Sequence, residues 1–376
     1  MRRFDHVVVG AGIVGAFVAH GLATRGADVA VLDRKDPGQE ASGTNAGTLA
    51  AQNKPMSLIP LAVDGIRRWQ AFEAETGVDL ETTMCGGFRV AHDRDGVETL
   101  QRVAEEQRAV GVETEHLDGD AVRERAPYVG PSILAANWSA MDGYNNALIA
   151  TARVVQTACR AGATLLARTE VRSVRREREG WLLDTDRGPI GAGRVVLAAG
   201  YWVRSLVAPL GLELPIAVRN NQMMVTSRMP PLLEHVITHV SGRLTLKQKH
   251  VGTVLIGGGW PGHHDPTLRH KWPSLTSMAG NAHLARIAVP ALANATVVRA
   301  WAGIDGRADH QEPYIGPVDG LDGLYLATTC WGAYTLAPTI AQGAVDWVLE
   351  NRPTAGLERF TPTEQMSRRS RRSSGT

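Results

Sequence analysis

The chain has 376 residues, 44% of them hydrophobic and 21% charged, a composition that excludes wholesale disorder. Its 40 lysines and arginines face 38 aspartates and glutamates, a net charge of +2 that is too balanced for nucleic acid as the main partner. Three scattered cysteines, Cys85, Cys159 and Cys330, exclude a disulfide framework, a zinc site and an iron–sulfur cluster. No apolar run reaches the roughly 18 residues of a membrane helix. The first residues, MRRFDHVVVGAG, enter a patterned strand in place of a signal-peptide core. The chain therefore reads as a soluble, cytoplasmic protein with no transmembrane segment. At roughly 150 residues per domain it should form two or three domains.

In chain order, the β-branched run 5–9 predicts a buried strand. Residues 13–26 follow with Ile13, Val14, Phe17, Val18 and Leu22 at helical spacing, closed by Gly26, and 29–32 form a second strand ending in Asp33. That is a βαβ unit. Leu58, Leu61, Ile66, Trp69 and Phe72 predict a long helix over 57–76, and 96–111 and 145–161 also read as helices. Strand patterns occupy 164–175, 181–186 and 194–198. From 215 to 258 short alternating strands dominate; 324–327 is a buried strand and 336–350 a helix. The interleaving predicts an α/β (α+β overall) chain with a discontinuous dinucleotide-binding domain over 1–80, 145–215 and 295–352. A mostly antiparallel-sheet domain occupies 81–144 and 216–294. The tail, 353–376, carries Arg368, Arg369, Arg371 and Arg372 among serines and glycine, and should be disordered at its end.

Gly10-Ala-Gly12-Ile-Val-Gly15 sits between the first strand and helix, with Asp33 ending the next strand. Gly10 makes the tight turn, Gly12 admits a pyrophosphate close to the backbone, and Gly15 lets the helix pack on the strand. The free N–H groups of the helix, Ile13 and Val14 among them, receive the phosphates. Asp33 would accept hydrogen bonds from a ribose, while Arg34 and Lys35 beside it leave room for a 2′-phosphate. These residues alone permit FAD, NAD or NADP.

Further motifs fall in order along the chain: Ala41-Ser42-Gly-Thr-Asn45-Ala46-Gly47, Val195-Val-Leu-Ala-Ala199-Gly200, Arg299-Ala-Trp301-Ala-Gly303, Pro313-Tyr-Ile-Gly316-Pro, Leu324-Tyr-Leu-Ala327 and Thr335-Leu-Ala-Pro338. From 5 to about 352 the chain resembles the FAD-dependent D-amino-acid oxidase family, which includes glycine and sarcosine oxidases and the flavin subunits of opine and proline dehydrogenases. The resemblance implies a Rossmann-like FAD-binding domain with an interleaved substrate domain. It implies that Ser42, Asn45, Ala46 and Gly47 line the path from pyrophosphate to flavin, with Val171 on the adenine side through its backbone. Ala199, Gly200 and Trp202 would close over the ADP half. Gly303 joins this set, and Gly332, Ala333, Tyr334, Thr335 and Leu336 would meet the flavin's pyrimidine edge, where backbone N–H groups stabilise negative charge. The implied reaction is oxidation of a C–N bond by hydride transfer to the flavin, giving an imine that hydrolyses.

Departures from the family narrow this. Trp331 falls where glycine and D-amino-acid oxidases carry a carboxylate-clamping arginine, which leaves Arg219, Lys247, Lys249 and Arg307 as substitutes. Leu255 falls where monomeric sarcosine oxidase has its flavin-facing lysine, and no flavin-linking cysteine stands near Trp301-Ala-Gly303. Both point to non-covalent FAD and a dehydrogenase. The loop from Ser42 to Pro55 looks most like flavin subunits of opine, proline and hydrogen-cyanide-producing dehydrogenases, which work with a larger partner that takes the electrons. Asn53, Lys249, His250, Trp260, Trp301, Arg307 and Trp331 are the substrate-pocket candidates. His263 and His264 suggest a loop or lid and no metal site. A flavin-carrying relay subunit without its own turnover, or a glycine- or sarcosine-type oxidase, stands as the alternative.

Overall fold

In the computed structural model, residues 1–328, 332–354 and 356–366 are described; Cys330, Trp331 and the arginines of the tail lie outside them. Val7 and Val8 are fully buried because their strand, Arg2–Val9, is flanked by parallel neighbours on both sides, Ile190–Leu197 and Val29–Leu32. Strands covered on both faces need such continuous apolar runs. The main path of the sheet runs Ile315–Pro317, Leu324–Ala327, Ile190–Leu197, Arg2–Val9, Val29–Leu32, Thr164–Leu166, parallel except at Ile315–Pro317, and Gly180–Thr185 and Val171–Glu177 extend it antiparallel from Ile190–Leu197. The stretch predicted as one strand over 164–175 is two, Thr164–Leu166 and Val171–Glu177, separated by a turn in which Arg168 has φ +54°. Helices Ile13–Ala23, Ala147–Arg160 and Ala333–Glu350 cover one face, and Ile59–Thr76 packs outside them.

The second sheet runs Val297–Ala308, Ile216–Arg228, Thr253–Gly257, Thr245–Gln248, Val236–His239, Gly87–Ala91, Ala135–Ser139, Glu115–Asp118. It is antiparallel except where Val236–His239 meets Gly87–Ala91. Helix Leu275–Ala288 and its neighbours bury Leu284, Ala285 and Val289 against one face. One segment departs from the sequence-based division. The sequence pattern assigns 295–352 to the dinucleotide sheet, yet Val297–Ala308 pairs along its length with Ile216–Arg228. Its alternation marks a strand, but nothing local in the sequence names its partner. This two-stranded ribbon spans both cores: Ile216 and Ala308 pack with the first sheet, Met224 and Ala300 with the second.

Trp69 anchors the end of the fold where helix Ala333–Glu350 begins. It is fully buried, meets Phe17 edge-on at 4.9 Å, stacks on Tyr334 at 5.2 Å, and donates from its indole to the Tyr334 carbonyl at 3.2 Å. Replacing Trp69 by Ala is expected to cost about 3–5 kcal/mol. Urea unfolding followed by circular dichroism measures this, and an unchanged midpoint would refute the anchoring role.

Candidate active site

Three strand ends converge where the glycine turn lies. Gly10 N–H donates to Leu32 O at 2.7 Å, and Ala198 N–H donates to Val9 O at 2.8 Å. Gly10 has φ +109°, and a Cβ there would lie 2.5 Å from Ala198 O; one at Gly15 would lie 1.9 Å from Gly10 O. Neither position has room for a side chain. Gly12 differs, since a Cβ there would meet only Ser42 Oγ, at 3.1 Å, and the residue faces a long cleft. The first-turn N–H groups of helix Ile13–Ala23 have no intrahelical acceptors. Ile13 N–H donates to Ser42 Oγ at 2.9 Å, and Gly12 and Val14 line the cleft. Asp33 accepts from Ala11 N–H through one oxygen and from Lys35 N–H through the other, both at 2.8 Å, which fixes its carboxylate at the cleft edge. Burial pushes its carboxyl above the usual range, the two backbone N–H groups opposing.

The cleft continues from this turn past Ser42 and Asn45, with Arg34, Val171, Ala199, Gly200 and Trp202 on one side. Gly303, Gly332, Ala333 and Tyr334 lie toward its far end. Gly15, Ala46, Gly47, Thr335 and Leu336 stand behind this wall. The Ala46 carbonyl accepts from Lys247, Gly47 N–H donates to Asn45 Oδ1, and the Thr335 hydroxyl donates to Thr48 O. Leu336 is fully buried in the core.

Several lining residues have no local signature. Glu40 gathers Lys35 at 2.6 Å, Arg34 at 3.2 Å and Lys271, the last reaching over from the short separate hairpin of His263–His264 and Lys271–Trp272. Burial alone would raise the Glu40 carboxyl; the Lys271 and Lys35 ammoniums outweigh it and hold it low. Asp305 and Asn221 enter from the two-stranded ribbon. Loss of solvent pushes Asp305 up to about 6 despite Arg307 and Arg219 nearby.

In the second sheet, strand Thr245–Gln248 and the residue after it direct Lys247 and Lys249 toward Tyr144, with ammonium-to-ring-centre distances of 5.4 and 4.8 Å. Lys247 is fully buried and donates to Ala46 O and Thr48 Oγ1, both at 2.6 Å. Burial drives its ammonium well below the ordinary lysine range, helped by Lys249 and Lys54. Lys247 is also the register partner of Leu255, so a buried lysine stands one strand away from the position where the sequence has none. Asn53 accepts from the Lys54 ammonium at 2.7 Å, and the Lys54 side chain runs against Gly332 at the cleft end. His250 is exposed, 3.8 Å from Glu81.

Two of the candidate tryptophans give their indole N–H groups to backbone carbonyls. Trp260 lies on helix Leu275–Ala288 over Gly280, its indole donating to Arg243 O at 2.7 Å. Trp301 spends its indole N–H on Thr44 O at 2.9 Å, tying the ribbon to the cleft loop. Arg307 sits on the ribbon beside Asp305. His263 and His264 are exposed in a short hairpin with Lys271–Trp272, and the described residues include no metal-holding group of three.

Residues 5–347 match the DAO family, described as FAD-dependent oxidoreductase. The chain is 28% identical to glycine oxidase of Geobacillus kaustophilus, covering 98% of each protein, and 27% identical to an opine oxidase subunit from Rhizobium meliloti, covering 92% of this chain and 95% of that protein. The crystal structure of the Geobacillus kaustophilus glycine oxidase superposes with a TM-score of 0.87 at 26% identity, over 96% of this chain and 98% of that one.

The two faces of the glycine turn should separate in mutants. Gly12→Val is expected to weaken flavin binding by more than about tenfold, equivalent to about 1.4 kcal/mol, with the unfolding midpoint of the apoprotein near wild type. Gly15→Val should lower both. Flavin absorbance per protein and thermal unfolding of the apoprotein read the two quantities, and equal behaviour of the two variants would contradict the assignment.

Proposed function

The chain belongs to the DAO family of FAD-dependent oxidoreductases, and from that premise we propose that it oxidises the C–N bond of a small amine, an opine, a proline-type imino acid or a D-amino acid, to an imine that water hydrolyses. The observation that carries this reading is the unbroken cleft from the Gly10–Gly15 turn to Gly332–Tyr334, lined by backbone and small side chains where a dinucleotide must lie close. Bound FAD supplies the redox step, accepting a hydride from the carbon beside the amine nitrogen.

The residues fit that group. The N–H groups at the start of helix Ile13–Ala23 receive the pyrophosphate, and the free lone pairs of Asp33 receive ribose hydroxyls. Val171 offers backbone on the adenine side. Trp202, braced by the Arg34 guanidinium 4.2 Å over its ring, closes the ADP half. Ser42 and Asn45 give the loop its shape, since the Asn45 amide donates to Ala41 O and Ser42 O. At the other end, the first turn of helix Ala333–Glu350 directs its N–H groups at the cleft, where they favour negative charge. Lys247 holds this loop against the second sheet through Ala46 O.

FAD is held non-covalently in this reading. Cys85 and Cys159 do not line the cleft, and no cysteine stands in the Arg299–Gly303 motif. Three scattered cysteines cannot hold a cluster, so the electrons leave to an acceptor outside this chain. The likeness to a protein named as one component of an opine oxidase supports a larger partner as that acceptor.

An anaerobic visible-absorption titration tests the reading. The purified holoprotein is exposed in turn to D- and L-amino acids, proline analogues, sarcosine and opines. Bleaching of the flavin band by one class is the expected result. A flavin that none of these bleaches, in a protein that dithionite still reduces, would favour a relay subunit and overturn the proposal.

A further inference from the structure

The hairpin of His263–His264 and Lys271–Trp272 belongs to neither large sheet. Both of its feet are fixed to the ribbon: Gly262 N–H donates to Asn220 O and Ser274 N–H to Gln222 Oε1, each at 2.8 Å. Just before the first foot, Trp260 is pinned by its indole bond to Arg243 O. The tip between the feet is built differently. Asp265 N–H donates to His270 O, Leu268 N–H to Asp265 O, and Arg269 N–H to Asp265 Oδ1, all at 3.1 Å. The Thr267 hydroxyl closes the turn on the same carboxylate. Among the described residues, the hydrogen bonds of 265–270 stay within 264–270. The tip is thus a self-contained turn carried between two fixed feet.

Two contacts reach from the hairpin to the two lips of the cleft. Lys271 pairs with Glu40, which opens the loop carrying Ser42, and the two side chains are only 13% and 19% exposed. On the other lip, Pro266, Thr267 and Leu268 face Tyr201, Trp202 and Ser205, all three of which line the cleft. Arg34 joins the lips from below, its guanidinium 3.2 Å from Glu40 and 4.2 Å over the Trp202 ring. The hairpin therefore spans the mouth of the cleft at its Asp33 end.

Neither contact is that of a permanently packed element. Leu268 is 7% exposed, yet it joins none of the hydrophobic cores and holds φ +57°, a left-handed conformation unfavourable for a bulky side chain. A hollow of about 460 Å³ lies between the tip and Leu212 and Leu214. The Lys271 ammonium is one of three cations on a single carboxylate, so its loss leaves Glu40 still paired. Release of the hairpin uncovers one leucine and frees one lysine. It disturbs neither the glycine turn nor the pairing of the ribbon.

We propose that residues 263–272 form a strap over the Asp33 end of the cofactor cleft, latched by Lys271 on Glu40 and seated by Leu268 beside Trp202, and that its release gates the entry and exit of FAD. This goes beyond the oxidation reading and does not depend on which amine is oxidised. The latch joins protein to protein, so breaking it eases passage in both directions. Association and dissociation of FAD then speed up together while affinity changes little. A residue that touches bound FAD would instead change dissociation and affinity in step and leave association alone. A fixed brace would change neither rate.

The test is cofactor exchange. Holoprotein carrying radiolabelled FAD is mixed with excess unlabelled FAD, and the label retained over time gives the dissociation rate. The change in flavin fluorescence on mixing FAD with the apoprotein gives the association rate. Lys271→Met is expected to raise both rates about tenfold, a factor between those of exposed and of buried charged pairs, with Kd near that of the wild type. Lys271→Arg keeps the pair and should exchange FAD close to the wild-type rate. Leu268→Ala removes the second contact and should also raise both rates. Wild-type rates in Lys271→Met, or faster dissociation matched by an equal loss of affinity, overturn the strap. Should Lys271→Met fail to fold, Leu268→Ala decides by the same two rates, and wild-type exchange in that variant overturns the proposal. If no amine bleaches the flavin while both variants exchange FAD faster, the oxidation reading fails and the strap stands.

Discussion

The contact on which the structure turns is the absence of a side chain between Gly10 and its neighbours. The Gly10 backbone lies against the carbonyl of Ala198 on one side and against Gly15 of the following helix on the other. Because strands Arg2–Val9, Val29–Leu32 and Ile190–Leu197 all end at this level, the cleft opens at the carboxyl edge of a parallel sheet, where open α/β folds bind ligands. The helix begins there with its positive end outward, and Asp33, ending the next strand, is clamped by two backbone N–H groups. A single steric condition thus places the free N–H groups at the start of the helix and the Asp33 carboxylate together at one end of the cleft.

The second sheet reaches the same cleft by a different device. The ribbon of Ile216–Arg228 and Val297–Ala308 is long enough to have its ends in separate cores, and its middle passes the cofactor groove. There glycine is again required for contact. A Cβ at Gly303 would lie 2.0 Å from the Thr44 hydroxyl, and one at Gly306 would lie 3.0 Å from Tyr201 Cα. The indole bond from Trp301 to Thr44 O and the Lys271–Glu40 pair add polar ties across the gap. The loop from Ala41 to Thr48 is therefore held from both sides, by its own Asn45 and by the sheet opposite.

What could be read in the sequence follows from range. The glycine turn, Asp33 and the first helix are local, so spacing alone shows them. The family resemblance extends this to Val171, Trp202 and Gly332–Tyr334, all of which line the cleft. The pairing of Val297–Ala308 is not legible, since an alternating strand does not announce its neighbour, and with it goes Asp305 as a lining residue. Glu40 escapes for the same reason: its partner Lys271 is far away in the chain. For Trp260 and Trp301 the sequence leaves the partner of the indole N–H unread. Aromatic residues on motif segments suggest a substrate wall, but an indole N–H that finds a carbonyl is as well spent on holding two elements together.

The buried cations near Tyr144 give this part of the second sheet its physical character. Lys247 is retained in the interior because its two short bonds tie the second sheet to the loop beside the cofactor. Burial lowers its ammonium, and Lys249 and Lys54 lower it further; Lys249 is lowered by burial with only Glu81 opposing. The unfolded chain therefore holds more protons on these lysines than the folded one between the lowered and the ordinary lysine values. Their contribution to stability rises with pH through that interval.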